Sequence, residues 1–278
     1  MKLKDVLRDK LGKEELELVP RAFDIVGDVA IIEVPPELKK RKRDIALALK
    51  KLHPRVKTVC NKTGERSGKY RLPSLEVLVG KETETEHIEY GCRFRVDVGK
   101  AYFSGREGTE RQRIAGKVKP GERVLVMFSG VCPSPIIIAK KQPKIAKVYG
   151  VEINPEAVEY ARENIRMNRV PLLVEALCGD VRDVCPGLVR GGNRFDRIVM
   201  PLPKGAHEFL DVALKCVKKN GIIHFYHWDR EDDLYTKALK IIENECKKAG
   251  LKCRILEKRK VLPYGPRIWK ICIDFRVL

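Results

Sequence analysis

This chain of 278 residues is poor in aromatics. It has no CxxC pair among its nine cysteines, no GxxxxGK[ST] phosphate loop and no apolar run of membrane-spanning length. Each absence narrows what the protein can do. With 2 Trp, 8 Tyr and 8 Phe, reading of backbone and shape is favoured over stacking of many splayed bases. An odd cysteine count without metal-type spacing argues against a disulfide framework and against zinc, so no metal is expected. The cysteines read as small buried hydrophobes of a reducing compartment. Lack of the phosphate loop argues against ATP held in that manner. The opening MKLKDVLRDKLGKEELE is charged rather than signal-like, so a cytoplasmic protein without a membrane partner is expected. Negative charge is also in deficit: 57 Lys and Arg against 38 Asp and Glu, a formal net of +19. That excess favours a polyanionic partner, most often nucleic acid, because neutralising phosphates releases counterions.

What is present organises the chain into two parts. Residues 1–90 read as a small α/β module expected to carry a nucleic-acid contact surface, and 91–278 as a linking segment plus a larger α/β domain. In the first part, Phe23 to Val34 alternates like a strand broken by a Gly27-Asp28 turn. Pro35-Pro36 opens a helix whose buried side is Ile45, Leu49 and Leu52. At its start lies the run Lys39, Lys40, Arg41, Lys42, Arg43. It reads either as a solvated face or as a phosphate contact, since lysines at a helix start oppose the dipole and gain from a phosphate. Arg55 to Arg71 reads as a mobile basic loop, and Glu82, Glu84 and Glu86 as one exposed strand face. Gly91 to Phe103 alternates as a strand pair and leads into a helix carrying Thr109 and Arg113. From Gly121 onward strand and helix alternate through Val124–Phe128, Val148–Val151, Leu173–Ala176, Arg197–Met200 and Ile222–Tyr226. Cys253–Lys258 and Trp269–Phe275 follow as a hairpin. The expectation is a doubly wound sheet with one antiparallel edge strand.

In such a sheet ligands bind at the carboxyl ends of the strands. Ser129 and Gly130 follow the first strand of this domain, and Gly130 lets backbone approach a ligand. Glu152 ends the second strand roughly twenty residues after the turn glycine, the place of an acid that accepts from a ribose diol. Asn154 and Pro155 behind it are the better helix-capping pair. Asp180, followed by Val181 in CGDVRD, ends the third strand, where it either accepts from an adenine amine or caps a helix. Met200, Pro201, Leu202 and Pro203 end the fourth, where the reacting group would lie. An adenosine-bearing cofactor, with ribose on Glu152 and base near Asp180, fits this set. His207 and His224 read as structural. Tyr226, His227 and Trp228 end the fifth strand near the same rim, with core packing the simpler reading, and Tyr264 in PYGPR is ambiguous.

EINPEAVEYARENIRMN, CGDVRD and RIVMPLPKGAHEFLD resemble the Rossmann-like class I S-adenosylmethionine-dependent methyltransferase fold. More narrowly they resemble the tRNA guanine-37 N1-methyltransferase superfamily, and FDIVGDVAIIEVP and YFSGREGTERQRIA extend the likeness over nearly the whole chain. The resemblance implies S-adenosylmethionine as co-substrate and tRNA, at the purine 3′ of the anticodon, as partner, with residues 1–90 as a tRNA contact. Two activities share this frame: N1-methylation, and transfer of the 3-amino-3-carboxypropyl group in wybutosine synthesis on phenylalanine tRNA. A non-catalytic RNA-binding protein with a degenerate cofactor fold is a third reading.

Departures from the methyltransferase pattern favour the second activity. Those enzymes usually carry Asn-Leu-Pro after the fourth strand, with the asparagine on the target base; here the sequence is Pro201-Leu202-Pro203, lacking the amide and, at Pro201, its N–H. The first-strand acid of many methyltransferases is Val126, and a loop glycine is Cys132. Both changes weaken the cradle for the methionine tail without touching Glu152 or Asp180. A tail released from that cradle needs a new cationic or hydroxyl partner, and Ser104, Arg106, Arg111 and Arg113 are the candidates, each with an ion-pair or phosphate reading beside it. Catalysis is then a matter of orientation, with Pro201 and Leu202 near the reacting group and few acid–base residues. The chain starts close to the small module, so the extra N-terminal domain that the resemblance associates with many methyltransferases is not expected. A monomer is expected.

Overall fold

Gly27 and Asp28 turn the run from Phe23 to Val34 back on itself. Gly27 adopts φ +55°, and a Cβ there would come within 2.4 Å of the Glu86 carbonyl oxygen, so both the turn and the close approach need glycine. The computed structural model describes residues 2–64, 68–70, 72–202 and 205–278; Arg71 and Pro203 lie outside the described residues. The chain divides into two compact units, Met1–Gly105 and Arg106–Leu278.

The first unit opens with α1 (Leu3–Leu7) and α2 (Lys13–Leu18). The hairpin β1 (Phe23–Val26) and β2 (Val29–Ile32) follows, then α3 (Lys42–Leu52), β3 (Thr58–Lys62) and β4 (Leu75–Val79). The four strands form one sheet in sequence order, with β2 and β3 parallel and the outer pairs antiparallel. α3 lays Ile45, Ala46, Ala48 and Leu49 against Leu7, Ile32 and Val59. Each fully buried Leu or Ile there contributes about 1.5–3 kcal/mol. A separate hairpin pairs β5 (Glu84–Glu89) with β6 (Cys92–Asp97). The run from Gly91 to Phe103 therefore supplies one strand rather than two. Asp97 ends it by accepting from Gly99 N at 2.9 Å, while its carbonyl accepts from Lys100 N at 3.0 Å. Glu84 and Glu86 of β5 face Arg95 and Arg93 across the hairpin, which accounts for the glutamate–threonine alternation.

The second unit begins with α4 (Gly108–Lys117). It alternates through β7 (Arg123–Met127), α5 (Pro133–Lys141), β8 (Lys147–Glu152), α6 (Pro155–Met167), β9 (Val174–Cys178), α7 (Val181–Arg190) and β10 (Phe195–Met200). α8 (Leu210–Cys216), β11 (Val217–Arg230), α9 (Thr236–Lys248) and the hairpin β12 (Cys253–Gly265) and β13 (Ile268–Val277) complete it. Sheet order is β12-β13-β11-β10-β7-β8-β9. β7 to β11 are mutually parallel, and β13 runs antiparallel to both of its neighbours. The antiparallel strand is thus one in from the edge, and the edge strand is β12. The hairpin folds back over itself, and its returning strand, which carries the fully buried and mostly apolar run Ile271–Phe275, takes the inner position. Central strands are apolar on both faces because helices cover both; Val124, Leu125, Val126 and Met127 are all fully buried. Strand order reverses between β7 and β10, which puts the crevice at their carboxyl ends. Among the described residues no helix is long and apolar enough to cross a membrane.

Candidate functional site

Three loops meet at the carboxyl ends of β7, β8 and β9. After β7 the backbone turns left-handed at alternate residues, Phe128 (φ +55°), Gly130 (φ +53°) and Cys132 (φ +62°). Two of these are not glycine, and such strain persists where packing holds it, commonly at ligand sites. The loop rests on Gly150 of β8, where a Cβ would lie 2.8 Å from Cys132 Sγ and 2.9 Å from Ser129 Oγ. This seating aims Gly130 N–H at Glu152 Oε2 (2.8 Å), while Oε1 accepts from Asn154 N (2.9 Å). Burial raises the Glu152 pKa, with the Asn154 and Gly130 amides pulling the other way. Each carboxylate oxygen retains acceptor capacity, so the pair of acceptors fits the two hydroxyls of a vicinal diol. Cys132 is fully buried, and burial pushes its thiol up to about 12, so it is a packing residue.

Asn154 caps α6 by accepting from Glu156 N at 3.1 Å. Asp180 does the same for α7, its Oδ1 accepting from Arg182 N at 2.8 Å; Val181 is buried behind it. Capping engages one Asp180 oxygen and leaves acceptor capacity on the carboxylate. Register carries Glu152 beside Cys178, and Gly179 N donates to Glu152 O at 2.9 Å, so the Glu152 and Asp180 loops are neighbours. Over this rim Phe128 meets Phe209 edge-on at 5.0 Å, and the Arg182 guanidinium lies 4.0 Å from the Phe209 ring. Neither contact is signalled by sequence spacing, since the partners come from the loop after β7, the first turn of α7 and the 3-10 helix Ala206–Phe209.

At the end of β10, Met200 is fully buried and Pro201 and Leu202 half-buried. The Pro201 carbonyl accepts from Lys270 Nζ (3.2 Å), a lysine only 2 % exposed. Lys270 also donates to Glu107 Oε1 (2.7 Å) and lies 4.9 Å from the centre of the Tyr226 ring. Lys270 is not among the residues expected from sequence. A charged residue within the apolar β13 run was the available signal.

Arg106 and Arg111 belong to the second unit and Ser104 to the first, and each is already engaged by other groups of the chain. Arg113 is committed to structure. Its donors reach Glu110 Oε1 (2.7 Å) and Oε2 (2.8 Å), Asp274 Oδ2 (2.7 Å) and Glu257 Oε2 (3.3 Å), which removes it from the candidates for the methionine tail. Asp274 also accepts from Lys117 Nζ (2.8 Å) and His224 Nδ1 (2.6 Å). Burial would raise the Asp274 carboxyl, but the His224, Arg113 and Lys117 donors hold it well below the usual carboxylate range. Arg197 donates to His224 Nε2 at 2.8 Å, so that nitrogen is an acceptor, the proton is on Nδ1 and the ring is neutral. Burial lowers the His224 pKa in the same direction. His224, Cys272 and Asp274 bring one metal-type ligand atom each within 4.8 Å of one another. Arg113, Lys117 and Arg197 already fill those lone pairs, so the cluster is an ion-pair core, in keeping with a structural His224.

The basic run of the first unit divides. A 3-10 helix spans Pro36–Arg41 and α3 begins at Lys42. Arg41 pairs with Glu15 (2.9 Å) and Lys42 with Glu76, whereas Lys39, Lys40 and Arg43 are exposed.

The chain is similar to known proteins over most of its length. The family described as TRM5/TYW2 methyltransferase domain matches residues 85–256, and the TYW2 N-terminal domain matches residues 3–83. The tRNA (guanine(37)-N(1))-methyltransferase Trm5b of Pyrococcus abyssi is 41% identical over 266 residues, 95% of this chain and 77% of that protein. The tRNA(Phe) (4-demethylwyosine(37)-C(7)) aminocarboxypropyltransferase of Pyrococcus horikoshii is 32% identical over 278 residues, 99% of this chain and 96% of the relative. A crystal structure of P. horikoshii TYW2 in complex with MeSAdo superposes with a TM-score of 0.81 at 30% identity, covering 99% of this chain and 98% of that one.

Proposed function

The chain belongs to the TRM5/TYW2 methyltransferase family, and within it we propose that the protein transfers the 3-amino-3-carboxypropyl group of S-adenosylmethionine to the tricyclic guanine derivative at position 37 of phenylalanine tRNA. The observation that carries this reading is the end of β10. Pro201 has no side-chain amide and no N–H, and its carbonyl is taken by Lys270 at 3.2 Å. The base-binding asparagine usual in the methyltransferases therefore has no counterpart at this position. Fully buried Val126 in β7 likewise offers the methionine tail no carboxylate. The reading of the nucleoside side is supported by Glu152, whose two oxygens accept from backbone N–H groups, in a loop beside that of Asp180.

S-adenosylmethionine, when bound, would supply a sulfonium whose γ-carbon accepts the electron pair of the base carbon, the C–S pair leaving with methylthioadenosine and the proton of the base carbon passing to solvent. The chain's own work is positioning. Glu152 and the Gly130 backbone hold the ribose, Asp180 borders the adenine, and the Phe128–Phe209 contact limits water over the rim. Lys270 fixes the Pro201 backbone against Glu107 and so sets the floor on which the acceptor base lies. Exposed Lys39, Lys40 and Arg43, with half-buried Arg41 and Lys42, supply the first unit's phosphate contacts.

A second reading, N1-methylation of guanine 37, is favoured by the higher identity to Trm5b, 41% against 32%. Incubation with S-adenosylmethionine and hypomodified tRNA, followed by mass spectrometry of the small-molecule product, separates the two. Methylthioadenosine is the expected product; S-adenosylhomocysteine would establish methyl transfer instead.

A further inference from the structure

One buried side chain near the site has no hydrogen-bond partner among the described residues. His227, only 7 % exposed, has neither ring nitrogen hydrogen-bonded among the described residues. Buried imidazoles are normally satisfied, as His224 of the same strand is, so an orphaned pair of ring nitrogens calls for a ligand or an ordered water. His227 shares a sheet face with Phe225, whose ring lies parallel at 6.0 Å. On that face the exposed His207, in the 3-10 turn Ala206–Phe209, meets it edge-on at 6.2 Å.

Its place in the sheet says which ligand. The nucleoside-binding carboxylates are on β8 and the turn after β9, on one side of β7, while β10 and β11 are on the other. Met200, the last residue of β10, pairs with Phe225, two residues before His227, so the segment that begins with Pro201 leaves the sheet on the β11 side near His227. A group reaching His227 is therefore on the acceptor's side of the reaction centre and away from the adenosine. Burial, with Lys237 and His207 nearby, lowers the His227 pKa to about 4, so the ring is neutral at physiological pH. A neutral imidazole offers one donor and one acceptor, which matches the mixed edge of a purine, whereas a phosphate or carboxylate would engage only the donor and leave the other nitrogen unpaired.

We propose that His227 is a base-binding residue: its imidazole hydrogen-bonds the edge of the acceptor purine, in place of the amide that Pro201 lacks, after the incoming base displaces the His207 ring. The inference rests on the tRNA-purine reading above and holds whichever carbon of the co-substrate is transferred.

The test uses His227→Phe, which keeps the ring volume and removes the unpaired nitrogens, and His227→Gln, which restores one donor and one acceptor. Transfer is scored as label from S-adenosylmethionine carrying isotope in both the methyl and the carboxypropyl group, so that either activity counts. His227→Phe should melt at or above the wild-type temperature and bind S-adenosylmethionine within about twofold of wild type. Its kcat/KM for hypomodified tRNA should fall by about ten- to hundredfold, the factor carried by one buried hydrogen bond, and His227→Gln should recover part of it. A kcat/KM within twofold of wild type in His227→Phe overturns the proposal. Should that variant not fold, nitrogen NMR of the histidine rings decides on the wild type: the His227 resonances shift on adding tRNA if the base engages them, and an unchanged spectrum rejects the assignment. No label transferred by the wild type itself would instead overturn the tRNA-purine reading.

Discussion

Replacing Glu152 by alanine separates what this carboxylate does for the fold from what it does for the ligand. In the free protein its oxygens accept from Gly130 N at 2.8 Å and Asn154 N at 2.9 Å. Hydrogen bonds to a charged group are worth about 1.5–3 kcal/mol each in favourable cases. Here burial already raises the carboxyl pKa despite both donors, so desolvation offsets much of that gain. The expected loss of stability is therefore at the low end, about 1–2 kcal/mol. Binding should lose the charge-assisted bonds to the ribose diol, about 1–3 kcal/mol, or roughly 5- to 150-fold in affinity. Calorimetry with S-adenosylmethionine and with methylthioadenosine should give the same factor for both, because the two share the ribose. The pH dependence has a definite sign. A diol donates, so it needs the ionised carboxylate; wild-type affinity should fall as pH drops through the raised pKa, above 4.5, and Glu152→Ala should lose that dependence. Affinities unchanged within twofold, for either ligand, would refute the placement of the ribose on Glu152.

The ion-pair core offers a second test. Asp274→Asn takes the shared carboxylate from Arg113 and Lys117 and leaves them, among the described residues, Glu110 and Glu257 as charged partners; it should cost about 3 kcal/mol of unfolding free energy by denaturant titration. Because the native Asp274 pKa is depressed, its contribution is present above about pH 4 and fades as pH falls below the ordinary value of 3.8, so the variant should lack that part of the acid transition. Charge reversal at the exposed Lys39, Lys40 and Arg43 should weaken tRNA binding and flatten the slope of log affinity against log salt by about 0.7–0.9 for each phosphate no longer neutralised. An identical slope would mean the run is only a solvated face.

Period and turn chemistry made much of this architecture legible. Apolar runs marked the strands of the large sheet, Gly27-Asp28 marked the first hairpin, and the acid at the end of β8 stood out by its distance from Gly130. The order of the last two strands was not legible, because a hairpin's hydrophobicity says that one strand is buried but not which neighbour it takes. Gly91–Phe103 looked like a strand pair because alternation continues past Asp97, where a local turn ends the strand. Arg113 could not be sorted by sequence: an arginine on a linking helix is equally suited to a ligand carboxylate or to Glu110 and Asp274, and only the fold brings residues more than 140 positions apart into contact. The partners of Lys270 and the Phe128–Phe209 contact were hidden for the same reason, although a lysine beside the Ile271–Phe275 run was itself a signal. Asp180 proved to be a helix cap, as one of its two readings held, without losing its place beside the Glu152 loop.

The central claim concerns which carbon leaves the sulfonium, and a double label reads it directly. Hypomodified phenylalanine tRNA incubated with the protein and S-adenosylmethionine, tritiated in the methyl group and carrying carbon-14 in the carboxyl group, should recover carbon-14 and no tritium. Tritium in the tRNA without carbon-14 would contradict the account and assign the protein to methyl transfer.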